Sequence, residues 1–488
     1  MSLTTVLILI ALTLLIFSLC HWLPTRRLRN PLLLVLSVGI IFWLQPALPI
    51  RGLDFWLPVA TLALTSLGWV LTSKPAERNL KASLISGGLI LAAVLLIAMT
   101  RFFSLKGLFT ASRPPQFVNV LLVLIGVFAV TIFLDWASKK GRFGTGRFGT
   151  VPYVMGIVIL LLVFVVLKLP SFSTWTSTLL RGWSGQNPTL ASALDLRWLG
   201  FSYVAFRLIH TLRDRQSGRL PAMGLDEYFI YILFFPAVSA GPIDRSERFL
   251  RDLRQAFTPS ATVFGSAVTR LLLGLFKKFV LADLLAIIAL NGSNAGQLQS
   301  AGWTWVLVVA YALQIYFDFS GYTDLAIGMG MLMGFKLPEN FNAPYLKPNL
   351  TQFWNNWHMT LTQWFRAYFF NPLTRSLRSG KKPAPAWLVI LVTQILTMTL
   401  IGLWHGITLN FVLWGMWHGL GLFVQNRFSD WTKPLSARIQ QRTALNKGVT
   451  VFTTLLTFAF VALGWVWFAL PSVDLSLSVF ARLFGMGA

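Results

Sequence analysis

Hydrophobic positions in this chain fall in long unbroken runs, with neither the stripes of a soluble amphipathic helix nor the alternation of a strand. Runs long enough to cross a bilayer lie near 3–23, 31–50, 54–72, 83–100, 116–134 and 150–167, followed by a shorter one at 198–210. Each predicts a helix, because in hydrocarbon every backbone polar group needs a partner inside its own segment. Beyond about residue 197 the texture changes. Residues 225–243 form a short run ending in Ser239-Ala240-Gly241-Pro242, and 262–290 is interrupted by Arg270, Lys277, Lys278 and Asp283. The run at 303–334 carries Asp318 and Asp324, and 335–380 mixes Trp354, Trp357, Trp364 and Phe365 with Asn355, Asn356, His358 and Arg366. A segment of that kind is expected to lie along the interface or to dip in and return, since polar side chains at membrane depth need protein or water as neighbours. Runs at 386–404, 407–424 and 449–470 close the pattern.

Composition agrees with a lipid solvent. Of 488 residues, 55 % are hydrophobic and 12 % charged, with 40 Phe and 20 Trp, and the mean hydropathy is +0.67. That excludes a water-soluble globule. The 41 Lys and Arg against 16 Asp and Glu leave a formal +25. In a soluble chain this would suggest nucleic acid; here it is the signature of basic cytoplasmic loops, and no nucleic-acid partner is expected. The single cysteine, Cys20, leaves no intrachain disulfide and no cysteine metal site. The first run has no charged segment before it and reads as a permanent helix rather than a cleaved signal.

Loop charge sets an expected orientation. Arg26, Arg27 and Arg29 follow the first run, Lys74, Arg78 and Lys81 the third, and Lys139, Lys140, Arg142 and Arg147 the fifth. Placing these alternate loops in the cytoplasm puts the N-terminus outside and brings Arg213, Arg215 and Arg219 back inside. The loop at 101–115 is basic too, with Arg101, Lys106 and Arg113. Gly-Arg-Phe-Gly-Thr occurs twice in tandem at 141–150.

The five histidines are the most informative polar residues. His21 and His210 end apolar stretches and read as interfacial or structural. His358, His405 and His418 each follow a Trp within the polar second half. His405 stands in Gly402-Leu403-Trp404-His405-Gly406, where a run of spanning length stops and a glycine lets the chain turn into the next one. Lys381 and Lys382 before this helical pair and Arg427, Lys433 and Arg438 after it should put both feet in the cytoplasm, so His405 is expected at the hairpin's inner tip or its outer mouth, away from the cytoplasmic surface. A neutral imidazole there could accept a proton from an attacking hydroxyl, or it could tie two helices together by a hydrogen bond. His358, after Phe353-Trp354-Asn355-Asn356-Trp357, could orient a partner, assist proton transfer or only satisfy its neighbours. His418 sits among Gly415, Gly419 and Gly421, a spacing that suggests close helix packing. No metal site is expected, because no His-x-x-x-His or carboxylate cluster accompanies these residues. There is no Gly-x-Ser-x-Gly elbow and no phosphate-binding glycine loop. Asp318 and Asp324 are six apart, not on one helical face, and are expected to pair with a buried Arg or Lys.

Several blocks in order resemble the membrane-bound O-acyltransferase superfamily: Phe234-Phe235-Pro236, Gly241-Pro242-Ile243-Asp244-Arg245 with Arg248-Phe249, and Tyr316-Phe317-Asp318-Phe319-Ser320-Gly321-Tyr322. Pro338-Glu339-Asn340-Phe341, Phe353 to His358 and Gly402 to Gly406 complete them. The resemblance spans roughly 197–425, whereas the first 190 residues agree only in hydropathy. It implies an all-α polytopic membrane protein of about 10–12 transmembrane helices plus re-entrant or interfacial ones, built around a core with a central tunnel. The domains expected are N-terminal transmembrane helices at 1–196, the catalytic core at 197–425, and a C-terminal loop, helix and tail at 426–488.

The resemblance also implies chemistry. His405 corresponds to the essential histidine and His358 to a second histidine position on the same tunnel, with Trp354, Asn355, Asn356, Trp357, Trp404, Asp318, Tyr322 and Asn340 as expected tunnel or substrate-binding residues. Family members move an acyl group from a thioester to a hydroxyl with no bound cofactor. In the bacterial branch, which includes alginate O-acetylation and D-alanyl transfer to teichoic acids, a cytoplasmic donor (a coenzyme A or carrier-protein thioester) meets an acceptor outside. An extracytoplasmic acyltransferase- or esterase-like partner is expected, as is a place in the cell membrane. Asn356 stands where Arg is frequent before Trp-His, and Ala367 where Asp is frequent, so donor and partner are left open. The competing reading is a transporter or flippase for a lipid-linked glycan along Asp318, Asp324 and His358, for which inverted repeats would be the mark; none is visible. An inactive scaffold recruiting a secreted transferase is a third, opposed by the intact His358 and His405.

Overall fold

The computed structural model describes residues 1–22, 26–103, 109–140, 149–297, 300–379 and 383–486. Arg142, Arg147 and most of the tandem duplication, Lys106, Lys381, Lys382 and the side chains of Arg26 and Arg27 lie outside the described residues. The chain is 78 % helical, with no strand among the described residues. In order the helices are α1 (Leu3–Trp22), α2 (Arg26–Leu44), α3 (Leu53–Thr72), α4 (Leu80–Met99), α5 (Phe117–Lys139), α6 (Val151–Lys168), α7 (Pro170–Trp183), α8 (Phe201–Gln216), α9 (Leu225–Leu233) and α10 (Ser246–Arg254). They continue as α11 (Ala261–Phe276), α12 (Ala282–Ala286), α13 (Ala301–Leu332), α14 (Leu350–Asn356), α15 (Met359–Phe365), α16 (Asn371–Arg378), α17 (Ala386–His405), α18 (Leu409–Gln440), α19 (Thr443–Ala469) and α20 (Val473–Leu483). Among the described residues seven, namely α1, α3, α4 with its short extension to Phe102, α5, α6, α17 and α19, combine the length and apolarity to cross a membrane. The chain is an all-α polytopic membrane protein.

Two compact units are formed, one by Met1–Thr269 with Ala326–Leu337 and the other by Arg270–Leu325 with Pro338–Ala488. In the first, α2 stops at Leu44 rather than near residue 50, because Pro46 and Pro49 cannot continue a helix and the Gln45 amide turns away to donate to Arg197 O at 2.6 Å. Two buried arginines satisfy carbonyls that helices leave open. Arg29 donates to Leu253 O at 2.5 Å, at the end of α10, and Arg207 to Ile232 O at 2.8 Å, near the end of α9. Phe234, tilted, and Phe249, stacked, both pack on Phe335 at 4.7 Å, and buried Asp244 accepts from Arg248 at 2.5 Å. The Phe-Phe-Pro and Gly-Pro-Ile-Asp-Arg blocks are therefore the packing of this unit.

The second unit carries charge inside an apolar frame and pairs it. Gly274 of α11 and Gly321 of α13 let the two backbones touch, since a Cβ on either would fall 2.8 Å from the other's carbonyl oxygen. A π-helical turn at Lys277–Leu281 follows directly. The wider turn lets consecutive lysines reach one neighbour, so Lys277 meets Asp324 at 2.7 Å and Lys278 meets Asp318. Asp324, 4 % exposed, also binds Arg270 at 2.7 Å, and Arg270 in turn reaches Glu339. Burying one carboxylate with two cations avoids the cost of an unpaired charge in a low dielectric.

The α17–α18 hairpin is closed by glycine. A Cβ on Gly402 would lie 2.2 Å from Phe411 O, one on Gly415 2.4 Å from Thr399 Cα, and one on Gly419 2.7 Å from Ile395 Cα. Gly415 and Gly419 thus form a small-xxx-small seam along which α17 lies in direct backbone contact. Asn410 fastens the tip of α18 to the end of α19, donating to Leu470 O at 2.9 Å and to Ser476 Oγ of α20 at 3.1 Å. Two expectations change here. Residues 426–440, expected as loop, continue α18 as helix through Pro434, with Arg427 paired to Asp430 one turn on at 2.9 Å. Gly406 has φ −175, an extended conformation open to any residue. What requires glycine there is space, since a Cβ would fall 2.7 Å from the Phe411 ring.

The seam makes a stability prediction. Gly415→Ala should cost about 1–3 kcal/mol by forcing the helices apart. Gly448→Ala, on α19 with no atom within 4 Å of the new Cβ, should be neutral or stabilising by up to about 1 kcal/mol. Thermal unfolding of both variants in detergent checks the pair, and equal melting temperatures would remove the seam as the cause.

Candidate active site

His358 sits where α14 and α15 are broken apart. It adopts φ 41, ψ 54, a left-handed conformation that costs a non-glycine residue about 1–3 kcal/mol. The turn persists because a neighbouring segment holds it. Asn342 N–H donates to Asn356 O at 3.1 Å and Met359 N–H to Asn340 O at 3.0 Å, so residues 340–342 run alongside the turn and supply partners that no helix provides. The Asn340 side chain completes the clasp. Its Oδ1 accepts from the Thr360 hydroxyl at 2.7 Å and the Thr360 N–H at 3.2 Å, and lies 3.4 Å from His358 Nδ1. Asn340 is fully buried and His358 3 % exposed. Asn340 Nδ2 and His358 Nε2 have no hydrogen-bond partner among the described residues.

From His358 a chain of rings leads to His405. Phe319 of α13 packs edge-on against His358 at 4.6 Å, and Trp404 lies 6.2 Å away on the α17 side. Trp404 stands 4.5 Å from His405. The His405 ring, half-buried at the C-terminal end of α17, is walled by Phe468 at 4.7 Å, Trp414 at 5.9 Å and Phe411 at 6.0 Å. Aromatic rings on four helices, α13, α17, α18 and α19, thus surround the two imidazoles, with the Trp404 indole between them.

The other expected site residues divide. Trp357 is buried among Phe341, Tyr345, Phe353 and Trp465, at 5.1 to 5.6 Å from each. Trp354 packs edge-on against Trp414 at 5.7 Å and His418 at 5.1 Å. These belong to the same aromatic body as the two histidines. Asn355, exposed, accepts from Arg366 at 2.7 Å, and Asn356 Nδ2 donates to Gln352 O at 2.8 Å, so both brace the helical break from outside it. Asp318 is half-exposed and paired with Lys278, while Tyr322 is buried on α13. His418, fully buried, lies 5.0 Å from Trp414, with neither ring nitrogen partnered among the described residues. Gly464 makes room for it, as a Cβ there would fall 2.6 Å from Nε2. Phe319, Phe411, Trp414, Trp465, Phe468 and Thr360 were not singled out from sequence. Helical spacing could have found Phe319, which shares a face with Tyr316; the aromatic wall on α19 has no comparable mark.

Burial sets the protonation state of His358, which lies outside the seven spanning-length helices. Desolvation pushes its pKa down from 6.5 to about 3, so the ring is neutral across the physiological range. The unfolded chain therefore binds a proton that the folded chain refuses between those values, and the stability this group contributes falls as pH drops from about 6.5 toward 3. His358→Gln should flatten the acid side of the stability curve by up to one proton, about 1.4 kcal/mol per pH unit at most. Chemical denaturation of wild type and variant at a series of pH values checks this, and an unchanged slope would contradict it.

Comparison with known proteins gives this geometry a context. The model of the membrane-bound O-acyltransferase family matches residues 153–459. A protein named probable alginate O-acetylase, from Pseudomonas syringae pv. tomato, is 32 % identical over 378 residues, 76 % of this chain and 67 % of that protein. The teichoic acid D-alanyltransferase of Bacillus subtilis is 29 % identical over 277 residues, 56 % of this chain and 69 % of the relative. The peptidoglycan O-acetyltransferase of Helicobacter pylori is 31 % identical over 262 residues, 53 % of this chain and 47 % of the relative. With its helical membrane fold and ordered motifs, the chain belongs to the membrane-bound O-acyltransferase family and is an O-acyltransferase.

Proposed function

We propose that this enzyme takes an acyl group, acetyl in the first instance, from a cytoplasmic thioester and delivers it to a hydroxyl of a cell-envelope polysaccharide outside the plasma membrane. The observation that carries this is the placing of His405 at the tip of the α17–α18 hairpin, with His358 beyond Trp404. In the reaction, His405 takes the proton from the acceptor hydroxyl as its oxygen bonds to the thioester carbonyl carbon. The carbon–sulfur bond then breaks, the proton passes to the leaving thiolate, and an ester and a free thiol result. His358 and the Trp and Asn donors around it, Trp354 and Asn340 among them, position the groups. The apolar wall around His358 favours its neutral form by excluding water. A single cysteine, Cys20, buried on α1, offers no support for a cysteine-bound acyl intermediate.

The donor is proposed as an acyl-coenzyme A or an acyl carrier protein, with no bound cofactor. Support comes from α16, where Arg375 and Arg378 line an open groove of about 420 Å³ with Asn371, Thr374 and Ser379. Two guanidiniums there suit the phosphates that either donor carries. The acetyl reading follows the similarity to the alginate and peptidoglycan O-acetyltransferases. The likeness to the teichoic acid D-alanyltransferase favours D-alanyl as the alternative acyl group. An extracytoplasmic N-terminus, a core within 197–425 and a secreted esterase-like partner complete the proposal.

Purified full-length protein supplied with radiolabelled acetyl-coenzyme A should release or transfer the label. His405→Ala should lower that rate by at least about a hundredfold while keeping the wild-type melting temperature. A folded His405→Ala protein with full acyl transfer would overturn the role of His405. Failure to process any thioester, with glycolipid moved across vesicles instead, would favour a transporter.

A further inference from the structure

We infer that Asn340 is a positioning residue that locks His358 in one tautomer, with the proton on Nδ1 and the lone pair on Nε2. The inference rests on the proposed acyl-transfer site and concerns which atom of its second histidine can accept a proton.

The first step is the orientation of the amide. A backbone N–H can only donate, and the Thr360 N–H lies 3.2 Å from the Asn340 side-chain atom that also meets the Thr360 hydroxyl at 2.7 Å. That atom is therefore the carbonyl oxygen, and the amide has no freedom to flip. The same oxygen lies 3.4 Å from His358 Nδ1, and oxygen has no proton to give. A favourable contact there requires Nδ1–H as donor. The other tautomer would set the Nδ1 lone pair against those of a carbonyl oxygen inside a buried site, where no water relieves the repulsion.

Among the described residues no second partner of Nδ1 competes with that oxygen. Among the described residues, the aromatic rings that meet His358 from other elements are Phe319 of α13 and Trp404 of α17, neither of them ionisable. The carboxylates of α13, Asp318 and Asp324, are engaged by Lys278, Lys277 and Arg270. With Nδ1 committed, Nε2 is left as an acceptor with no partner among the described residues, and the Asn340 Nδ2 donor is likewise unpartnered. Both atoms are buried, one an acceptor and the other a donor, and neither is satisfied by the described residues. The left-handed backbone at residue 358 is part of the same device, because a relaxed turn would carry the ring off the amide.

The test uses the full-length protein in detergent with imidazole-¹⁵N-labelled histidine, the His358 signals being assigned by their loss in His358→Gln. In wild type, Nδ1 should give the protonated, pyrrole-type shift and Nε2 the unprotonated, pyridine-type shift. Asn340→Ala should bring both nitrogens toward averaged values and lower kcat for labelled acetyl-coenzyme A by about tenfold to a hundredfold, with KM within about twofold. Thr360→Val, which removes one donor to Oδ1 but leaves the His358 contact, should lose stability and keep the tautomer. A wild-type spectrum with the proton on Nε2 overturns the inference, as does Asn340→Ala with an unaltered spectrum. Should Asn340→Ala fail to fold, the wild-type spectrum decides alone. Full activity in His358→Gln together with the expected tautomer would remove His358 from the proposed reaction and leave the assignment to Asn340 standing.

Discussion

Everything near the two histidines depends on how one break in helical structure is satisfied. Between α14 and α15 the backbone leaves the helix, and each buried amide it frees must find a partner. Residues 340–342 provide those partners, by two backbone bonds and by an asparagine whose oxygen serves Thr360 and His358 together. An unsatisfied buried polar group costs about 1–3 kcal/mol, and the strained φ at His358 adds a similar amount. The clasp offsets both. It therefore determines where the imidazole points, which rings can pack on it, and how α13 and α17 meet it through Phe319 and Trp404.

Charge within the second unit follows the same economy by another route. The excess of 41 basic over 16 acidic residues in the chain would predict few carboxylates at depth, yet Asp324 is buried. It is tolerated because two glycines bring α11 and α13 into contact and a π turn aims successive lysines at one helix. These pairs fix the register of α11 against α13, and so the height at which Phe319 meets His358. Electrostatics here acts on the site through geometry rather than by touching it.

Much of this was legible in the sequence, and the reasons for the rest are physical. Apolar runs at 3–23, 54–72, 116–134 and 150–167 became helices within a few residues, because in lipid a long apolar run has one solution. The pairing of Asp318 and Asp324 with lysine and arginine was readable from the cost of burying charge, although which cation served which carboxylate needed the π turn. His358 and His405 stood out as polar groups out of place. The wall around them did not, since Trp414, Trp465 and Phe468 look like any other aromatic in a chain with 20 Trp and 40 Phe. Gly406 was expected to supply a turn and instead supplies room for the Phe411 ring, a distinction only tertiary contact can make. Asn340 was named in a motif, but its grip on three donors joins residues 18 and 20 apart and leaves no local trace.

The glycine seam of α17 and α18 has a consequence for how this enzyme can change. With backbones in contact at Gly402, Gly415 and Gly419, the hairpin has no slack, and a single inserted residue would swing everything beyond it by about 100° around the helix axis. His405 would then leave its aromatic wall altogether. The hairpin behaves as a ruler whose graduations are glycines. Substrate preference in such a scaffold can drift freely at the rings that line the ruler, while its length is held constant, so new acyl or acceptor specificities are expected to arise by substitution and hardly ever by insertion or deletion.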